Sequence, residues 1–341
     1  MNKIITGLCL FFSFSLSAAQ YYAYDGVISK TINTDMPKKV TLMKVRMSKD
    51  FMNTMKRNLN KRPILMATNT TQTSVQLGMG NIPVADQGYH GSCVVFSVTE
   101  ALSALNGTPL SELCTLGLGQ YIENNGFGLS GWNGQTIKNV MSRLDDFGIV
   151  YLDTQLANGC GGLNAYPGKE FKFPQDITPE EYSKISNSVE SIGLDSWTNY
   201  YDINQWINKT LPGEQILNLT KNALNHQHRV VVGVLVPALY GTLGAFGQYN
   251  VNNDTWVINS QTAELIKDID NNPQSWGGHA MIITGYDDNA VAIDEDGKEH
   301  KGLITLRNSW GADAGDNGDF YMSYDYFMHL ALELVEITNI Q

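Results

Sequence analysis

The stretch Gln87-Gly88-Tyr89-His90-Gly91-Ser92-Cys93 decides the reading of this 341-residue chain, together with Gly278-His279-Ala280 and Arg307-Asn308-Ser309-Trp310-Gly311 far downstream. After Cys93 the apolar residues Val94, Val95, Val98, Ala101, Leu102 and Leu105 recur at helical spacing, and Asn106-Gly107 supplies a stop. Cys93 is therefore expected at a helix N-terminus, where unpaired backbone N–H groups and the positive end of the helix dipole favour a thiolate. Gly88 and Gly91 let the preceding loop approach a substrate closely. An isolated cysteine reads as well as an inert core residue, but that reading leaves the glycines and the downstream partners unexplained.

Of six histidines, His279 is the one placed as a general base would be. It opens Ala280-Met281-Ile282-Ile283-Thr284-Gly285-Tyr286, which reads as a buried strand and would mount the ring rigidly. A second strand, Leu303 to Arg307, ends at Asn308, and the two strands are expected to pair through the turn-rich Asp294-Glu295-Asp296-Gly297. That pairing brings Asn308 beside His279, where an amide oxygen can fix the imidazole tautomer.

Taken together these motifs, with Gly315-Asp316-Asn317-Gly318-Asp319-Phe320 after the asparagine, resemble the papain-like cysteine peptidase family over roughly residues 81 to 330. The resemblance implies an α+β, two-lobed fold: a helical lobe after Cys93, a twisted, barrel-like antiparallel lobe around His279 and Asn308, and a cleft between them. It implies Cys93 as nucleophile, His279 as general acid and base, Asn308 as its orienter, and Gln87 as side-chain donor to an oxyanion. The second donor would be the Cys93 backbone N–H. Trp310 resembles the family tryptophan that shields the His–Asn contact, and Gly278, Gly134, Gln135 and Trp310 are the expected substrate-contacting residues. The implied chemistry is hydrolysis of protein or peptide substrates through a thioester.

Departures from the family pattern matter too. A cysteine is usual three residues before the nucleophile, where this chain has His90, and a Gly-Cys-Asn-Gly-Gly segment is usual where it has Gly131-Trp132-Asn133-Gly134-Gln135. Both partners of one family disulfide are thus missing together. Gln135, replacing a glycine, is expected to put a side chain where substrate backbone lies. Of four cysteines, Cys9 sits in a removable leader and Cys93 must stay free, so Cys114 and Cys160 are expected to be bridged, the alternative being two buried thiols.

Lys3, the apolar run Ile4 to Leu16 and Ser17-Ala18-Ala19 read as a cleavable signal peptide over 1–19, with no membrane span and a secreted product. Five Asn-X-Ser/Thr sequences count only in a host that glycosylates its exports. Residues 20–80 read as a prosegment: two strand-like runs, Val27 to Ile32 and Val40 to Met47, then a helix from Lys49 to about Asn60 capped by Ser48, then a linker. This block is basic, whereas the whole chain carries a net charge of -11, so it should be drawn to an acidic body. Residues 20 to about 62 are expected to dock as an intramolecular inhibitor, with Ala67 to Ser74 leading through or past the cleft. The basic residues are interleaved rather than clustered and aromatics are few, which argues against nucleic acid.

Residues 81–341 would form the peptidase domain, with a helical insertion at about 164–220. No cofactor or metal is expected: His226 and His228 lack a third ligand, and the acids from Asp287 to Asp296 lack a calcium-loop spacing. The chain is expected to be monomeric. The rival readings are a thiol amidase acting on cell-wall peptides and a catalytically idle cleft-binding homologue.

Overall fold

The computed structural model describes residues 22–32, 38–59, 72–170, 173–238, 244–246 and 252–339. The expected leader, and Ala67 to Thr71 of the linker, lie outside the described residues. No helix among the described residues is long and apolar enough to cross a membrane.

The helical lobe is built on α2 (Cys93–Asn106), which follows the N-terminal helix α1 (Lys49–Leu59). Gly107 ends α2 in the left-handed region, φ 73°, with its N–H returning to the Ser103 carbonyl, the stop its sequence announced. Around α2 pack α3 (Glu112–Asn124), α4 (Ile137–Phe147), α5 (Leu152–Asn158) and α6 (Pro179–Ser183). Val95, Val98, Leu102, Leu113, Leu116, Val140 and Met141 fill the space between them. Ser111 and Thr136 cap α3 and α4 through their side chains. A disulfide joins Cys114 of α3 to Cys160 just beyond α5, as expected from the cysteine count.

The second lobe is a sheet organised by one long strand. After β1 (Tyr22–Ile32), β2 (Lys38–Met47), β3 (Ser74–Gln76), β4 (Leu194–Tyr201), β5 (Arg229–Pro237), β6 (Gly244–Phe246) and β7 (Asn252–Trp256) comes β8 (Trp276–Asp294), 19 residues long. It is followed by β9 (Glu299–Arg307), β10 (Asp319–Ser323) and β11 (Ala331–Asn339). Pairings β8–β6–β7–β10–β9 return to β8 and close a ring, with β7 and β10 parallel and the other ring pairs antiparallel. On its other edge β8 continues to β5, β11 and β4. The expected α+β layout, helical lobe against barrel-like lobe, is therefore present.

The segment expected as a helical insertion is mixed. Besides α6, α7 (Ile203–Asn208) and the start of α8 (Gly213–Asn225), it supplies β4 as an edge strand on β11. Trp197, Thr198, Tyr200 and Tyr201 are β-formers whose pairing partner lies at the far end of the chain, a contact that local periodicity cannot reveal.

β1 and β2 form a hairpin in register Ile32↔Lys38 to Tyr22↔Met47, with a bulge between Tyr24 and Val27. Ser48 starts α1 by accepting the Phe51 N–H at 3.2 Å. Helix α1 buries Phe51, Thr54 and Met55, its Phe51 ring lying 4.7 Å from that of Trp206. Lys56 pairs with Asp270, next to α9 (Ser260–Lys267), and His329 of α10 (Tyr324–Leu330) meets the Asn58 carbonyl at 3.0 Å.

Candidate active site

The strand pairing predicted from sequence puts Ile282 opposite Arg307 and brings the ends of β8 and β9 together. His279 Nε2 lies 2.8 Å from Asn308 Oδ1. The same oxygen accepts the Ser309 backbone N–H at 2.7 Å, so it is fixed as an acceptor and Nε2 must carry the proton. Nδ1, left as the basic nitrogen, is buried with no hydrogen-bond partner among the described residues. Trp310 stacks on the imidazole at 4.6 Å and 17°, shutting water from the His–Asn contact; it is itself buried, facing the ring.

Cys93 begins α2 and is the free cysteine among the described residues. Ser92 holds the N-cap position without capping the helix: its hydroxyl is 2.8 Å from the Tyr166 phenol. The first-turn N–H groups are thereby spared a side-chain competitor. The backbone N–H groups of Ala280, next to His279, of Val94 and of Cys93 itself act to favour a charged sulfur. Cys93 and His279 are both fully buried, one at the start of α2 and the other on β8.

Gln87 is held at every polar atom. Its N–H donates to the Ser309 carbonyl at 2.9 Å, and its Oε1 accepts the Ser309 hydroxyl at 2.7 Å. Its Nε2 donates to the His90 carbonyl at 2.8 Å and to the Thr41 carbonyl at 3.1 Å. Thr41 belongs to β2. The amide expected to hold an oxyanion therefore holds a backbone carbonyl of the N-terminal hairpin.

That hairpin fills the cleft. Met43 and Lys44 of β2 pair antiparallel with Gly278 and Gly277 of β8. A Cβ built on Gly278 would lie 3.1 Å from Met43 and Val45, one on Gly134 would meet the Tyr24 ring at 2.7 Å, and one on Gly91 would meet Val27 at 2.8 Å. Between Tyr24, Met43, Val45, Ile137, Gly278 and Glu333 only about 10 Å³ of space remains, at the lower limit for one water. The hairpin thus lies against Gly278, Gly134 and Gly91, while Ala67 to Thr71 of the stretch expected to pass the cleft lie outside the described residues. The described end of the linker pairs Ser74 with Asp287, far along β8.

Enclosure sets the electrostatics. Burial pushes the Cys93 thiol up to about 12 against the opposing pull of the Ala280 and Val94 N–H groups, and burial brings His279 down to about 4. The expectation of a thiolate at the helix N-terminus is thus reversed in the covered state. Desolvation of a charge outweighs a few oriented dipoles, and the pair rests neutral. Lys30 of β1 is enclosed as well, donating to the Pro237 carbonyl at 2.8 Å, and burial lowers its ammonium to about 8. At the hairpin's turn end, burial acts to lower Lys38, but the carboxylates of Asp313 and Asp86, at 2.5 and 3.1 Å, outweigh it and raise the ammonium.

Gln135 turns inward: its amide donates to the Leu129 carbonyl at 2.9 Å and accepts from the Thr136 N–H and the Asn139 amide. The Gln135 side chain is therefore tied to its own loop and helix start, and it is Gly134 that meets Tyr24. His226 and His228 are engaged separately, with the Asn222 carbonyl and with Glu336. Sequence reading assigned no role to Thr41, Lys30, Ser309 or Tyr166. Ser309 stood inside a quoted motif, while the other three carry no local pattern that marks them.

Residues 204–339 match the model of the Peptidase C1-like family, a segment that contains His279 and Asn308 but not Cys93. No curated protein matches the sequence. Among solved structures, xylellain, a cysteine protease from Xylella fastidiosa, is 16% identical with a TM-score of 0.48, covering 81% of this chain and 91% of its own. Digestive procathepsin L 3 of Tenebrio molitor larval midgut is 18% identical with a TM-score of 0.46, covering 83% and 78%. The proform of the ragweed pollen allergen Amb a 11, a cysteine protease, is 15% identical with a TM-score of 0.45, covering 84% and 70%.

Proposed function

We propose that this divergent papain-like chain is a cysteine-type peptidase, exported and made in a self-blocked form. The observation that carries the reading is the placement of Thr41: a peptide carbonyl rests on Gln87 Nε2 at 3.1 Å, where an oxyanion would be held, while His279 Nδ1 stays buried with no hydrogen-bond partner among the described residues. With the cleft open, Nδ1 takes the Cys93 proton and the sulfur adds to the scissile carbonyl carbon. The oxyanion is held by Gln87 Nε2–H and the Cys93 N–H. Collapse expels the amine, which takes the proton from His279, and water then cleaves the thioester.

The hairpin is not a substrate because it runs the wrong way. From Thr41 at Gln87, β2 proceeds through Met43 to Val45, the side where Gly278 and Gly134 form the walls. By the family resemblance that side takes residues preceding the scissile carbonyl, whereas here it is filled by residues that follow Thr41. The attack trajectory and leaving-group direction are both inverted, so the strand occupies without reacting. The Cys114–Cys160 bridge accords with an oxidising compartment and thus with export.

The test uses the full chain carrying Met43→Asp. Met43 is buried beside Gly278, and an unpaired carboxylate there costs several kcal/mol, enough to drive the hairpin out. We expect Met43→Asp to hydrolyse an unfolded protein substrate but not peptidoglycan, the wild-type chain to be nearly inert, and Met43→Asp/Cys93→Ala to be dead. Ready alkylation of Cys93 in Met43→Asp without hydrolysis of any protein would defeat the peptidase reading while leaving the block intact; cleavage of peptidoglycan alone would favour a cell-wall amidase.

A further inference from the structure

The loop 87–92 carries the oxyanion donor and leads to the nucleophile, yet the cysteine pair that ties this region in relatives of the family is absent. His90 and Trp132 stand at those two places and touch, their rings 4.8 Å apart and edge-on. A third ring completes the contact: Tyr166 stacks on Trp132 at 5.6 Å and 11°, and lies 4.9 Å from Phe96 on α2.

Tyr166 does more than pack. Its hydroxyl donates to the Gln87 backbone carbonyl at 3.0 Å and meets the Ser92 hydroxyl at 2.8 Å. The next two residues extend the grip, since His90 Nε2 lies 3.0 Å from the Pro167 carbonyl and the Tyr89 N–H donates to the Gly168 carbonyl at 2.8 Å. The approach is so close that a Cβ on Gly88 would sit 1.7 Å from the Gly168 oxygen, so this position must be glycine on two grounds, contact and a φ of +58°. Residues 166–168 thus clasp the loop at Gln87, Tyr89, His90 and Ser92. The clasp is anchored behind, where Gln155 donates to the Asn164 carbonyl at 2.9 Å, four residues past the Cys160 half of the disulfide.

We propose that Tyr166 is a positioning residue for the oxyanion site: its phenol fixes the Gln87 backbone and draws Ser92 away from the α2 N-cap, and with Pro167 and Gly168 it replaces a covalent strap by a polar clasp. Two consequences follow for the chemistry. Gln87 Nε2 keeps its aim when Thr41 leaves, because the backbone it hangs from does not depend on the hairpin. The first-turn N–H groups of α2 stay uncapped and available to the sulfur and the oxyanion.

The inference rests on the peptidase reading, and its test is read in the full-length Met43→Asp background. Tyr166→Phe keeps the ring stack and removes the hydroxyl. Loss of a whole oxyanion donor costs 10²- to 10³-fold in kcat, and loss of its aim a fraction of that. We expect kcat on peptide amides to fall about tenfold with KM within about twofold. In a Gln87→Ala background the same substitution should change kcat less than about threefold, since the Gln87 amide is no longer there to aim and only the freed Ser92 hydroxyl at the α2 N-cap is left to act. Amide exchange at Tyr89 and Cys93 should quicken in Tyr166→Phe of the otherwise wild-type chain. An unchanged kcat, an effect confined to KM, or an equal tenfold loss without Gln87 would each overturn the assignment. If Met43→Asp hydrolyses nothing, the peptidase reading fails first; unaltered exchange at Tyr89 and Cys93 would then overturn the clasp as well, and quickened exchange would uphold it.

Discussion

Lys30 is a cation enclosed in the cleft, and replacing it by methionine should tighten the block in a pH-dependent way. The residue is 6% exposed and its ammonium donates to the Pro237 carbonyl at 2.8 Å. Burial lowers its pKa from 10.5 to about 8. An undocked hairpin restores the ordinary value, so docking must either release the proton or bury the charge. The cost is full below the docked value of about 8, shrinks as pH rises from there, and vanishes above 10.5. Worked through, it is about 3 kcal/mol at pH 7 and about 1.4 kcal/mol at pH 9.5. Methionine matches the stem and carries no charge, but it leaves the Pro237 carbonyl without its donor, a loss of about 1 kcal/mol. The net gain in docking is then about 2 kcal/mol at pH 7, or roughly thirtyfold, falling to about twofold at pH 9.5.

The assay is iodoacetamide alkylation of Cys93 in the full chain, which requires the hairpin to lift. The open-state reactivity of the thiol cancels in the ratio of wild type to Lys30→Met, because Lys30 is away from the site whenever the cleft is open. We expect the variant to label roughly thirtyfold more slowly at pH 7, with the ratio dropping more than about tenfold by pH 9.5. A ratio independent of pH, or a variant that labels faster than wild type at pH 7, would refute the reasoning, since both require the Lys30 ammonium to pay no desolvation cost in the docked state.

Asn308→Ala, tested in the Met43→Asp background, should lower kcat by about tenfold or more with a smaller change in KM, because His279 Nε2–H loses the acceptor that sets its tautomer. Replacing Cys114 and Cys160 together by serine opens a bridge across a 46-residue separation and should destabilise the chain by about 4 kcal/mol, read as a loss of denaturant midpoint. Gly88→Ala should be worse tolerated than Gly107→Ala: both have positive φ, but only the Gly88 Cβ would strike a neighbour, the Gly168 carbonyl. Thermal unfolding of the two variants makes that comparison, and equal shifts would mean that residues 166–168 give way at little cost.

The helix after Cys93, the strand after His279, the turn that pairs β8 with β9 and the capped helix after Ser48 were all legible because each depends on side chains a few residues apart. Cys93, His279 and Asn308 sat close to the ends of those elements, so they could be named and the meeting of His279 with Asn308 anticipated. The mixed character of residues 164–220 was not legible, since β4 exists only against β11. Nor was the inward turn of Gln135, which is set by its bonds to Leu129 and Thr136 and not by its place in a motif.

By itself, then, the sequence determined which elements mount Cys93, His279 and Asn308, because capping, periodicity and turn chemistry are local. Only the tertiary structure decided the state in which they are held. Thr41 reaches Gln87 across 46 positions, Tyr166 reaches Gln87 across 79, and Lys30 reaches Pro237 across 207. Contacts at such separations follow from how whole lobes and the hairpin pack. Packing is also what removes water from Cys93 and His279, turning a helix end that favours a thiolate into a site where the neutral pair is the stable one.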